Sequence, residues 1–208
     1  VGGTLDNGLG LALLYSGVNG EGFRDKNDDS DINDIRLKAA CAIDEAAIIE
    51  ANLLRYDADV DMPGGLTPAQ FSEKPYQSLR NHDHMKGHRT DGSVKYSYKK
   101  DDNAFELLAY HTDTFRDAGM ERSGSKLYQT APRNYKVTAI EPRYSHAYQL
   151  GTTENEVSVG YRYLHETSEE AVNRASYNTV TGPTNEYAWT KADGKTDAHA
   201  LFIDNRTD

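Results

Sequence analysis

Glu156-Val157-Ser158-Val159-Gly160-Tyr161-Arg162-Tyr163-Leu164-His165-Glu166 opens on an unbroken alternation. Val157, Val159, Tyr161 and Tyr163 lie on one parity, and Glu156, Ser158, Gly160 and Arg162 on the other. A period of two marks a strand with one greasy and one wet side. The pattern recurs upstream. Leu9, Leu11, Leu13 and Tyr15 alternate with Gly10, Ala12, Leu14 and Ser16, and Phe105, Leu107 and Ala109 alternate with Glu106, Leu108 and Tyr110 in a segment running to Arg116. Further strands are expected at 33–41, 46–57, 89–99, 134–149 and 197–205. Helical spacing is nowhere sustained, and only Glu45 to Leu54 is ambiguous.

The connections fall into two classes. Asp6-Asn7-Gly8, Ile43-Asp44-Glu45, Lys100-Asp101-Asp102-Asn103 and Gly151-Thr152-Thr153-Glu154-Asn155 are tight, and rich in residues that tolerate left-handed backbone. The segments 18–32, 58–88, 117–132 and 168–196 are long and polar. Short and long connections alternate strictly, so a meander would gather the short turns at one rim and the long loops at the other. That is the connectivity of an outer-membrane β-barrel. The segments number about nine, whereas bacterial single-chain barrels use even numbers, so the stretch is expected to be part of a larger barrel.

Composition narrows the classes. The chain has 208 residues, with 23 basic and 33 acidic side chains and a net charge of −10, which argues against nucleic acid as a partner. One cysteine, Cys41, excludes a disulfide framework and a cysteine-ligated zinc site. No apolar run approaches the roughly 20 residues of a spanning helix, and Val1-Gly2-Gly3-Thr4 does not read as a signal peptide. Tyrosine supplies 14 residues, against 5 Phe and 1 Trp, as suits strands ending at a water boundary. The expected fold is therefore all-β, an antiparallel up-and-down transmembrane β-barrel, present in part. Alternation alone fits a soluble antiparallel module as well, for example a carbohydrate-binding sandwich using tyrosines and Trp189 as stacking platforms, and a passive porin is a further alternative. The loop asymmetry favours the barrel.

Several stretches resemble the barrel of TonB-dependent outer-membrane receptors, most of all the ferric citrate transporters among them. They are Val1-Gly-Gly-Thr-Leu-Asp-Asn-Gly-Leu-Gly-Leu-Ala-Leu-Leu-Tyr-Ser-Gly17, Asp61-Met-Pro-Gly-Gly-Leu66, Pro132-Arg-Asn-Tyr135, Ile140-Glu-Pro-Arg-Tyr-Ser145 and Val159-Gly-Tyr-Arg-Tyr-Leu164. They follow the family's order and span nearly the whole chain. The resemblance implies a barrel of about 22 strands closed by a plug, of which residues 1–208 would be an early part without plug or later strands. It further implies a Gram-negative outer-membrane location among lipid, no cofactor, an iron chelate such as ferric citrate as ligand, and TonB as partner through the plug. In the ferric citrate receptors, arginines near the outer rim hold the anionic complex. Two positions match here: Arg116 at the strand end, and Arg133 in the Pro-Arg-Asn-Tyr motif. Guanidinium forks suit carboxylates and stay charged at any relevant pH. Both are expected on the inward face, by parity with Glu106 for Arg116 and with Glu141 and Arg143 for Arg133. A third family arginine has no equivalent, since that region reads Tyr187-Ala188-Trp189-Thr190-Lys191 and only Lys191 carries charge.

Other constellations read more plainly. Arg116 and Arg133 have a structural alternative as lumen arginines paired with Glu141, Asp113 or plug carboxylates. His82, His84 and His88 match no closed metal site and read as loop histidines. Asp25-Lys-Asn-Asp-Asp-Ser-Asp31 lacks the Gly and Glu of a calcium loop, which are Ser30 and Arg36 here, and reads as a solvated acidic loop. His111 and Glu166 have no accompanying nucleophile motif, so an enzyme is not expected.

Overall fold

A computed structural model of the protein describes residues 1–122 and 125–207. The strands are β1 (Gly2–Thr4), β2 (Leu9–Glu21), β3 (Asp29–Ala42), β4 (Ala47–Asp61), β5 (His84–Lys100), β6 (Asn103–Glu121), β7 (Leu127–Thr130), β8 (Arg133–Leu150), β9 (Thr153–Asn178) and β10 (Gly182–Thr207). All ten pair antiparallel in one sheet. The expectation was about nine, and the difference lies at Pro132. β7 and β8 follow one register along β6, with Glu121↔Tyr128 at one end and Asn103↔His146 at the other, and one register along β9. Proline has no N–H to give the ladder, so one ribbon is broken into two strands, and the described residues form nine ribbons.

The two faces differ in kind. Directly paired residues share a face, so the row Leu11, Ala39, Ala51, Val94, Ala109, Ile140, Tyr163 runs across seven strands of one side. The opposite side carries the ion pairs Lys95–Glu50 (3.6 Å), Lys95–Glu106 (3.4 Å) and Arg162–Glu141 (2.6 Å). No second layer covers the apolar face among the described residues: Leu53 is 57% exposed, Val94 50%, Val159 41% and Leu201 79%. The sandwich alternative required Val159 and Tyr161 to be sealed between layers. They lie instead on the open face of a single sheet, Tyr161 half-buried, which suits a lipid-facing belt.

The turns at 5–8, 43–46, 101–102 and 151–152 gather at one rim as expected, with Gly8 (φ 82°), Asp101 (φ 50°) and Gly151 (φ 65°) in the left-handed region. The other rim departs from expectation. Three of the four segments read as long loops are largely strand. Of 18–32 only 22–28 lies outside strands, 117–132 contains the end of β6 and all of β7, and 168–196 is the outer half of a hairpin turning at 179–181. β9 and β10 have 26 residues each, whereas about 9–11 cross a bilayer, so this hairpin extends far beyond the belt. Among the described residues only 62–83 remains a long loop, and it holds an unexpected helix, α1 (Pro68–Glu73). Thr67 and Gln70 form a capping box with Pro68 in the first turn.

The outer loops pack as a unit. Arg24 donates to the carbonyls of Gln77 and Gly64, each at 2.8 Å, and Asn27 donates to those of Met62 (3.1 Å) and Asp83 (2.8 Å). Tyr128, Ala175 and Tyr177 form a small buried cluster, with the Tyr128 hydroxyl donating to the His82 carbonyl. Burial pushes Tyr177 up to about 12, so it stays a neutral donor. Asp83 is buried and accepts from the Glu121 N–H at 2.7 Å, while Arg80 bridges Glu121 at 3.0 Å and Asp83 at 3.9 Å. Asp83→Ala is expected to free the 62–83 loop at a cost of about 1–3 kcal/mol, since it leaves a buried N–H unpaired. Hydrogen exchange over residues 62–83 checks this. Burial raises the Asp83 carboxyl above the usual range. Its protonated form is therefore favoured in the docked state, and docking should weaken as pH rises through that raised value.

Candidate functional site

The two arginines picked out by sequence meet. In the β6–β8 ladder, Arg116 and Arg133 are direct register partners, so their side chains leave the same face of neighbouring strands. That face carries Glu141, Arg162 and Lys95 and is opposite the apolar belt. Both arginines lie beyond the belt toward the rim of the packed loops. β6 runs five residues past Arg116, to Glu121, so Arg116 sits within the strand rather than at its end.

Like charges directly opposite each other in a sheet repel, and little here neutralises them. Among the described residues Arg116 makes no side-chain hydrogen bond or ion pair, and it is exposed. Arg133 is held by Glu170, its register partner on β9, at 3.7 Å, and Tyr135 donates to the other Glu170 oxygen at 2.7 Å. The alternative partners go elsewhere: Glu141 takes Arg162, and Asp113 takes Lys136 at 3.6 Å. The result is a pair of adjacent guanidinium forks with spare donors, and its chemical complement is an anion bearing carboxylates.

The rest of the predicted set disperses. Lys191 pairs with Ala171 and falls on the face opposite Arg116 and Arg133, so it cannot join them. Trp189 lies at an irregularity in β10 with the Arg174 guanidinium 3.4 Å from its ring centre, which leaves that ring face unavailable for stacking a sugar. Arg174 itself was missed by sequence reasoning. It is in register with Gln129, four residues up β9 from Glu170 and on the arginine face. His82 packs edge-on to Tyr177, His84 lies by Tyr128 and His88 stacks on Phe115, so the three histidines do not converge. Among the described residues no cluster of three or more His, Cys, Asp or Glu is arranged to hold a metal, the Asp25–Asp31 segment included. His111 bonds Thr138 at 2.8 Å, on the face opposite Glu166.

No protein-family model matches the chain. Among solved structures, the ferric citrate transporter FecA, in its unliganded form, superposes with a TM-score of 0.90 and 36% identity, covering 100% of this chain and 31% of that one. The ferric-catecholate import receptor Fiu of E. coli K12 gives a TM-score of 0.76 at 13% identity, over 99% of this chain and 39% of its own. The siderophore receptor PiuA of Acinetobacter baumannii gives 0.72 at 11%, over 99% and 37%. At their identities the last two speak for the fold alone. The chain thus spans about a third of the length of each protein it matches. These neighbours are transport receptors rather than enzymes.

Proposed function

The chain belongs to the TonB-dependent outer-membrane receptors, and from that membership we propose that it supplies part of the binding wall for an anionic iron chelate, ferric citrate or a close relative. The observation that carries this reading is the Arg116–Arg133 register pair, two arginines directly opposite each other on the charged face with one weak carboxylate contact, Arg133 to Glu170. Each fork offers bidentate bonds to a carboxylate, and an anion offsets the repulsion between two directly opposed like charges. The likeness to a ferric citrate transporter supports the same ligand class.

The receptor would lie in the Gram-negative outer membrane, with the apolar row on lipid and the packed loops outside the cell. Import would draw energy from TonB through a plug inside the barrel. The net charge of −10 opposes an approaching anion. That field is screened over about 8–10 Å at physiological salt, so the local arginine pair governs at contact.

The test is binding by the full-length receptor in outer-membrane vesicles. Ferric dicitrate should bind and compete with other anionic carboxylate chelates, whereas a cationic iron hydroxamate should not compete. Equal binding of the cationic chelate would remove the reading.

A further inference from the structure

A recess of about 410 Å³ opens on the arginine face directly beside Arg116. Its apolar walls are Ile32, Ala58, Val60, Met62 and Met85, and Tyr56, Arg89, Thr114 and Arg116 also line it. Register places these strand residues on one face: Ile32 pairs with Ala58, Ala58 with Gly87, and Gly87 with Arg116, while Val60 pairs with Met85. Gly87 keeps the floor low between Ala58 and Arg116. A Cβ there would come within 3.1 Å of the Phe115 carbonyl oxygen. The volume lies in the range of ligand sites, which are mostly apolar with a few convergent polar groups.

Such a lining is out of place on this face. Farther down the same strands the face carries Glu50, Lys95 and Glu106 in ion pairs, as a wet lumen requires. An apolar recess facing water is unfavourable unless something apolar fills it. Arg116 lines the recess, and its guanidinium has no partner among the described residues. A molecule with an anionic end for the arginines and an apolar arm for the recess satisfies both features. We propose that the chelate taken by this site is a citrate-type anionic iron complex bearing an aliphatic arm, and that the recess formed by Ile32, Ala58, Val60, Met62 and Met85 selects for that arm. This rests on the arginine pair being the anion site, and it names the substrate class.

The experiment compares two anionic iron(III) chelates of one citrate bis-hydroxamate scaffold, with acetyl or octanoyl groups, on the full-length receptor in outer-membrane vesicles. Each methylene buried multiplies affinity by roughly four, so even partial seating should make the octanoyl chelate at least ~10-fold tighter. Ala58→Trp fills the recess from a position two strands away from Arg116. It should cost the octanoyl chelate far more affinity than the acetyl chelate and so erase the preference. Should that variant not reach the membrane, Val60→Asn makes the same wall polar without filling it and should also erase the preference. Equal affinity for the two chelates, or a preference surviving both variants, overturns the inference and leaves the arginine reading standing. A matched loss of both chelates in Ala58→Trp also overturns it, because the recess would then hold part of the receptor itself. Failure to bind either chelate, or binding indifferent to Arg116→Ala, overturns the underlying reading instead.

Discussion

Replacing Arg116 and Arg133 together by alanine should weaken anionic chelate binding by about two to three orders of magnitude. The estimate takes about 1.5–2.5 kcal/mol for each charged hydrogen-bonding group lost, and about 1.4 kcal/mol per tenfold. Single substitutions should not contribute equally. Arg116 has no partner among the described residues, so its removal exposes nothing and costs only ligand contact. Arg133→Ala also frees Glu170, which it meets at 3.7 Å, and places an uncompensated carboxylate beside the site. Arg133→Ala should therefore be the worse single variant. Glu170→Gln supplies a control of opposite sign. It removes the charge competing for Arg133 while keeping an acceptor for Tyr135, and should tighten binding a few-fold, within the modest worth of a half-exposed ion pair. Isothermal titration of the purified receptor with ferric dicitrate reads all four variants. If the double variant binds within threefold of the unaltered receptor, the pair is merely structural. Lysine at both positions should recover only part of the affinity, because an ammonium cannot form the planar two-bond contact.

The legibility of this site was uneven. Its face was readable, because strand parity is local: Arg116 counts in twos from Glu106, and Arg133 from Glu141 and Arg143. Its defining feature was not. The facing of Arg116 and Arg133 depends on the register between β6 and β8, whose connection at this rim runs through β7 and is not a tight turn. The face of Lys191 is readable as well, since the β10 register is unbroken from Thr190 to Thr207 and Lys191 counts in twos from Leu201 and Ile203, whereas counting from the hairpin tip crosses two register shifts. The outer halves of β9 and β10 read as loop in the sequence for a physical reason. Beyond the bilayer a ribbon has no continuous greasy side: between Ser168 and Asn178 a short stretch at Ala175 and Tyr177 enters a small buried cluster, and two register shifts interrupt the pairing with β10, so no sustained apolar alternation marks the strand. The helix at Pro68–Glu73 did have a signal, Thr67-Pro68-Ala69-Gln70, which is a capping-box spacing with proline at the first position. The tight-turn rim was legible throughout, because Asp-Asn-Gly clusters report their own backbone needs.

Val94→Arg should prevent or sharply destabilise insertion, whereas Ser93→Arg, one residue away, should be tolerated. Val94 lies at the middle of the row from Leu11 to Tyr163 and is 50% exposed on the apolar face. Ser93 pairs with Asn52 and Tyr110 on the face that carries Lys95 and Glu106. At the bilayer midplane an outward arginine costs about 2–4 kcal/mol, while lumen substitutions leave stability nearly unchanged. Adding Ile140→Arg, two strands over in the same row, should roughly double the loss, as the sites do not touch. Urea titration of the full-length receptor refolded into lipid vesicles measures the difference. The contrast separates lipid from water as the medium on that face. In water, a half-exposed Val→Arg change is close to neutral, or improves solubility by covering apolar surface. In hydrocarbon, the same guanidinium must be desolvated or must drag water and headgroups inward. Equal stability of Val94→Arg and Ser93→Arg would mean that the Leu11–Tyr163 row never contacts lipid, and the receptor assignment would lose its physical basis.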